Sequence, residues 1–115
     1  AGGIAPLVAL ARGGTSDDQK WQASRALANL AAYNADNQVA IARAGGIAPL
    51  VALARNGTGE QKVWAAGGLM NLAGNADNKV AIAKAGGIAP LVALARRGTD
   101  EQKVWAAGAL ANLAA

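Results

Sequence analysis

Gly2-Gly3-Ile4-Ala5-Pro6-Leu7-Val8-Ala9-Leu10-Ala11-Arg12 is repeated word for word from Gly45 and again from Gly86. The three starts lie 43 and 41 residues apart. From Gly45 to Gly74 and from Gly86 to Ala115 the two copies agree at 25 of 30 positions. The first copy carries two single-residue insertions, one in Thr15-Ser16-Asp17-Asp18 against Thr58-Gly59-Glu60, the other in Ala31-Ala32-Tyr33 against Ala73-Gly74. Both fall where loops are expected. A period near 41 residues is that of stacked helical repeats, in which each unit buries its apolar face only against its neighbours.

Each unit reads as three helices. The first is expected over Asn78 to Ala85, with Asp77 as N-cap and Gly86 as the residue just past its end. The second begins near Ile88, carries Pro90 in its first turn where a missing N–H costs little, and ends at Arg96-Arg97-Gly98. The third opens on Thr99-Asp100-Glu101-Gln102, a Thr-x-x-Gln capping box, and runs to Ala115. Thr58-Gly59-Glu60-Gln61 and Ser16-Asp17-Asp18-Gln19 repeat that signal.

The 115 residues are one domain's worth of chain, 1–115, and 53% are hydrophobic while only 3% are aromatic. The excess is alanine, 32 residues against 12 leucines, 7 valines and 5 isoleucines, which suits closely packed helices and not a thick β-sandwich. With no cysteine and no histidine, disulfides, Cys/His zinc sites and Ser-His-Asp chemistry are excluded. The acids begin helices instead of converging, so paired-carboxylate catalysis is not expected, nor is any metal or cofactor. No apolar run is long enough for a membrane helix and no signal peptide opens the chain. A soluble protein is expected, intracellular if natural. The net charge is +4. Yet Arg12, Arg55, Arg96 and Arg97 end second helices while Asp17, Asp18, Glu60, Asp100 and Glu101 begin third helices, the signs that complement helix dipoles. Charges so spread make no phosphate track, so nucleic acid is not expected as a partner. An acidic peptide is compatible with the positive excess.

A short helix, an Ala-Gly-Gly turn, a Pro-started helix and a long helix ending Leu-x-Asn-Leu-Ala resemble the armadillo repeat, the unit of importin-alpha and beta-catenin. Residues 34–74 and 75–115 each match a whole repeat, and 1–32 match one lacking its first helix. The resemblance implies an all-α, right-handed armadillo solenoid of about three repeats and eight helices. It also implies a concave groove, lined by the third helices, where Asn29, Asn71 and Asn112 grip an extended peptide backbone.

Helical geometry selects the same asparagines. At 100° per residue Ala65, Ala66, Leu69, Leu72 and Ala73 share one sector, the core face. Glu60, Trp64, Gly67 and Asn71 form a stripe roughly opposite. The stripe reads Glu101, Trp105, Gly108 and Asn112 in the third unit, and Asp18, Gln22, Arg25 and Asn29 in the first. Gly67 and Gly108 would leave bare backbone for a ligand to approach. Trp64 and Trp105 have two readings: rigid anchors facing the groove, or indoles folded over a neighbour's glycine shelf. The asparagines likewise either meet a peptide or bond a neighbouring helix end. Arg25, at the glycine position, is placed to stack on Trp64 across the unit boundary. The family's grooves commonly carry tryptophan at the Gly67 position, and this sequence departs from that pattern.

Two further expectations follow. Units so nearly identical favour a designed or consensus-derived sequence, with recent duplication as the alternative. And the outermost helices lack neighbours: Ile4, Leu7 and Leu10 at one end, Leu110 and Leu113 at the other, should expose apolar seams. The competing function is therefore a self-assembly module with no natural ligand, associating as a two-fold dimer, a domain swap or end-to-end stacks.

Overall fold

The computed structural model describes residues 3–115, and among them every regular element is a helix: α1 (Ile4–Gly13), α2 (Asp17–Ala31), α3 (Ala35–Arg43), α4 (Ile47–Asn56), α5 (Gly59–Leu72), α6 (Ala76–Lys84), α7 (Ile88–Arg97) and α8 (Asp100–Ala114). They form a stack of α1–α2, then α3–α5, then α6–α8. The eight expected helices are present, and the first unit lacks its opening one.

The Gly-Gly pairs turn the chain. At the end of α6, Gly86 takes φ +80°, and its N–H donates to Ala83 O while Gly87 N–H donates to Ile82 O. That is a Schellman closure, which only a residue tolerating the left-handed region accepts cheaply. α6 and α7 then meet at 84°, as α3 and α4 meet at 83°. The start of α6 corrects the sequence expectation. Asn75, not Asp77, is the N-cap, its side chain accepting from Asn78 N–H. Asn75 is extended, at φ −100° and ψ 133°, so Asp77 falls inside the first turn, where its charge faces the dipole.

The capping boxes form in full at Thr58 and Thr99. In the first unit Ser16 caps α2, but Gln19 Oε1 accepts from Thr15 N–H and Thr15 Oγ1. The inserted residue shifts the reciprocal bond one position outward. The second insertion leaves Tyr33 fully exposed at φ 55°. A bulky residue in that region is strained. Tyr33→Gly is expected to raise stability by about 0.5–1 kcal/mol in thermal melts.

The core is one continuous layer running through all three units, led by Leu27, Ile41, Leu50, Leu69, Leu72, Ile82 and Leu91. Ala65, Ala66, Leu69, Leu72 and Ala73 are all fully buried, as helical phase required. Successive third helices α2, α5 and α8 pack side by side and make the most extensive contact between units. Small residues allow that approach: a Cβ at Gly68 would lie 3.7 Å from the Ala28 Cβ.

Candidate functional site

The last four carbonyls of any helix have no partner within it. In α2 each finds one outside. Ala28 O accepts from Asn71 Nδ2 at 2.9 Å, Asn29 O from Ala32 N–H at 3.3 Å, Leu30 O from Asn37 Nδ2 at 2.7 Å and Ala31 O from Gln38 Nε2 at 3.0 Å. One unit on, Met70 O accepts from Asn112 Nδ2 at 2.9 Å and Leu72 O from Asn78 Nδ2 at 3.0 Å. Asn71 and Asn112 therefore cap the preceding third helix, the neighbouring-helix-end alternative of the sequence reading. Both are half-buried, whereas Asn29 is exposed. An asparagine amide carries two hydrogens and an acceptor oxygen. Among the described residues, Oδ1 and the second hydrogen of Asn71 and Asn112 have no partner.

A second bond ties the opposite ends of the same helices. The capping-box glutamines are buried, and Gln61 Nε2 donates to Asp17 O at 2.9 Å while Gln102 Nε2 donates to Gly59 O at 3.1 Å. α5 and α8 are thus each latched to the preceding third helix at two points: a glutamine in the first turn and an asparagine ten residues later. Asn71→Ala is expected to lower stability by about 1 kcal/mol in urea melts, and Asn29→Ala to leave it unchanged. Equal effects from the two would contradict the latch.

Bare backbone at the stripe glycines does not survive assembly. The Trp105 ring lies 3.9–4.0 Å from where a Cβ on Gly67 would sit, and Met70 Sδ would lie 2.6 Å from one on Gly108. Gly67 is buried and Gly108 half-buried. The expected room for a ligand is filled by a neighbour's indole and thioether, because third helices pack close enough to fill a missing side chain. Trp105 follows the glycine-shelf reading. Trp64 meets Arg25 instead, whose guanidinium carbon is 5.8 Å from the Trp64 ring centre and 5.7 Å from that of Trp21. Trp21 Nε1 in turn donates to Glu60 Oε2 at 3.2 Å. Trp64 and Trp105 are half-buried, so each indole keeps an open edge.

The outer surface of the stripe is acidic at one side. Asp18, Glu60 and Glu101 are exposed where their helices begin, and Gln22 Nε2 donates to Asp18 Oδ2 at 3.0 Å. A shallow hollow of about 500 Å³ opens at Trp21, Gln22, Arg25, Ala26 and Asn29. Arg25 is the one basic residue of the stripe, and the other arginines lie off it. Arg12 and Arg55 donate to the turn carbonyls of Gly45 and Gly86, and Arg55, Lys62 and Arg97 line a separate cleft between units 2 and 3.

One residue of the expected apolar seams is corrected. Ile4 is 4% exposed, so it belongs to the core and not to an open end, while Leu10 is 41% exposed. Leu7, Leu110 and Leu113 are half-buried and pack onto the core. On the last unit the exposed large apolar residues are Val80, Ile88 and Val104. Leu110 and Leu113 are nevertheless more open than their equivalents Leu69 and Leu72, which are fully buried in the middle unit.

No family profile and no curated protein matches the chain. Solved structures do. An engineered protein is 35% identical with TM-score 0.89 over 96% of this chain and 44% of its own. A designed armadillo repeat protein in complex with the peptide (KR)4 is 30% identical with TM-score 0.90 over 96% of this chain and 46% of its own. Computationally designed armadillo repeat proteins for modular peptide recognition are 28% identical with TM-score 0.88 over 96% and 47%. The chain spans less than half the length of each of these. Its fold is that of these armadillo repeat proteins, an all-α repeat solenoid. These similar structures are engineered ones, in keeping with the near-identity of the units. No single helix among the described residues is long and apolar enough to cross a membrane.

Proposed function

We propose that residues 1–115 act as a single non-catalytic peptide-binding scaffold, whose binding surface is the outer edge of α2, α5 and α8. One observation carries this reading. Asn71 and Asn112 spend one hydrogen on the preceding helix and keep an acceptor and a second donor, repeated at the spacing of packed helices, roughly 8–10 Å. Such a ladder suits an extended backbone, whose N–H and C=O groups recur along its length. Asn29 continues the ladder. The half-open indoles of Trp64 and Trp105, with Arg25 stacked beside Trp64, supply flat apolar contact.

The charge of the partner follows from the stripe and not from the chain's total. Asp18, Glu60 and Glu101 line its edge, and most of the arginines end second helices. A basic segment therefore fits better than the acidic one that the net +4 suggested. The probe is the peptide (KR)4, which one of the similar designed proteins carries, set against a Glu/Asp octapeptide. (KR)4 is expected to shift the tryptophan emission, and the double variant Glu60→Lys, Glu101→Lys to weaken it about tenfold or more. Preference for the acidic peptide would restore the opposite charge assignment. No response to either would leave the stripe as packing alone.

A further inference from the structure

We propose that the two outermost third helices are halves of one interface, so that α2 of one copy of this 115-residue chain docks on α8 of another, head to tail. The molecule already makes this contact twice. Between α2 and α5 it is Gln61 Nε2 to Asp17 O and Asn71 Nδ2 to Ala28 O. Between α5 and α8 it is Gln102 Nε2 to Gly59 O and Asn112 Nδ2 to Met70 O. Donors are ten residues apart and acceptors eleven apart in both cases. On α2 the equivalent donors are Gln19 and Asn29, also ten apart, and both are exposed with no acceptor for their amide N–H groups among the described residues. On α8 the equivalent acceptors are the carbonyls of Asp100 and Ala111, eleven apart on exposed residues. Two unpartnered side-chain donors therefore stand in the register of the two carbonyls that the interior of the molecule uses. One of those carbonyls lies in the first turn, where it accepts a second bond as Asp17 O does from Gln61.

The apolar part of the face agrees. Val63, on α5, is 7% exposed beneath the following unit, but its equivalent Val104 on α8 is 65% exposed. Ile47 is 7% exposed and its equivalent Ile88 is 45% exposed. The difference is what the following unit covers, and the occupant that fits is the corresponding surface of a second copy. The missing first helix of the leading unit does not block this, because third helices carry most of the contact between units. The two faces differ, so the contact is heterologous and adds copies without closing into a dimer.

Sedimentation equilibrium of this chain over a hundredfold concentration range tests the proposal. Expected is a weight-average mass that climbs past twice the monomer value without a plateau. Val104→Glu should hold the protein monomeric, since the position is open in the single copy and tolerates charge. Asn29→Ala should weaken association about fivefold, the loss of one hydrogen bond. Val104 lies outside the proposed peptide surface, so failure of peptide binding leaves this test intact. A monomer throughout, a plateau at the dimer, or association unaffected by Val104→Glu would overturn the proposal.

Discussion

Leu69→Ala is expected to lower the unfolding free energy by about 3 kcal/mol, measured by urea denaturation at constant slope. Leu69 is fully buried on the middle third helix, in the one unit that touches both others. Removing its branched end takes away buried methyl groups and leaves a space that helices latched at both ends cannot close. Stability in a repeat array is a sum of units and nearest-neighbour interfaces, so a defect in the middle weakens two interfaces at once. Leu10→Ala, on a residue 41% exposed, should cost well under half as much. Comparable losses at both positions would mean that the middle unit is not the structural keystone.

Gly87→Ala is expected to cost about 2 kcal/mol, because the added Cβ has nowhere to go. It would lie 2.7 Å from Ile82 Cγ2, 3.0 Å from Ile82 O and 3.2 Å from Val51 Cγ2. Ile82 is fully buried and its carbonyl closes the Schellman turn, so neither can give way freely. The penalty should appear in thermal melts as a loss of several degrees, about 8 °C or more. Gly3→Ala offers the contrast, since a Cβ there meets nothing within 4 Å. If Gly87→Ala proves neutral, the turn is looser than its hydrogen bonds imply.

The sequence alone made the architecture readable because the same string occurs three times and its variations fall in loops. Helix type, order and approximate limits followed from periodicity, the Gly-Gly turns and the Ser/Thr caps. The exception was the α6 start, where Asn75 and Asp77 are both good N-caps and only the backbone angles choose between them. The side chains of the stripe were legible in position but not in partner. Helical phase put Gly67, Gly108, Trp64 and Trp105 outside the core. It could not show that third helices approach closely enough for Trp105 to cover Gly67 and Met70 to cover Gly108. Gln61 and Gln102 were read as caps, and their second bond to the preceding helix depends on a packing distance that no single helix encodes. Ile4 was placed at an open end by its chain position, and its burial is a property of how α1 sits on its neighbours. Val63 and Val104, like Ile47 and Ile88, are the same residue at equivalent positions, so the opening of Val104 and Ile88 is set by which neighbour covers them and not by residue type.

The most direct test follows the side-chain amides of Asn29, Asn71 and Asn112 by nitrogen-15 NMR while (KR)4 is added. Expected are shifts at all three, together with the indole N–H signals of Trp64 and Trp105, saturating at a common concentration. The amides of Asn37 and Gln38, which cap α2 away from the stripe, should stay in place. Shifts confined to residues off the third helices, or none at the asparagines while the peptide binds, would contradict a peptide surface built on α2, α5 and α8.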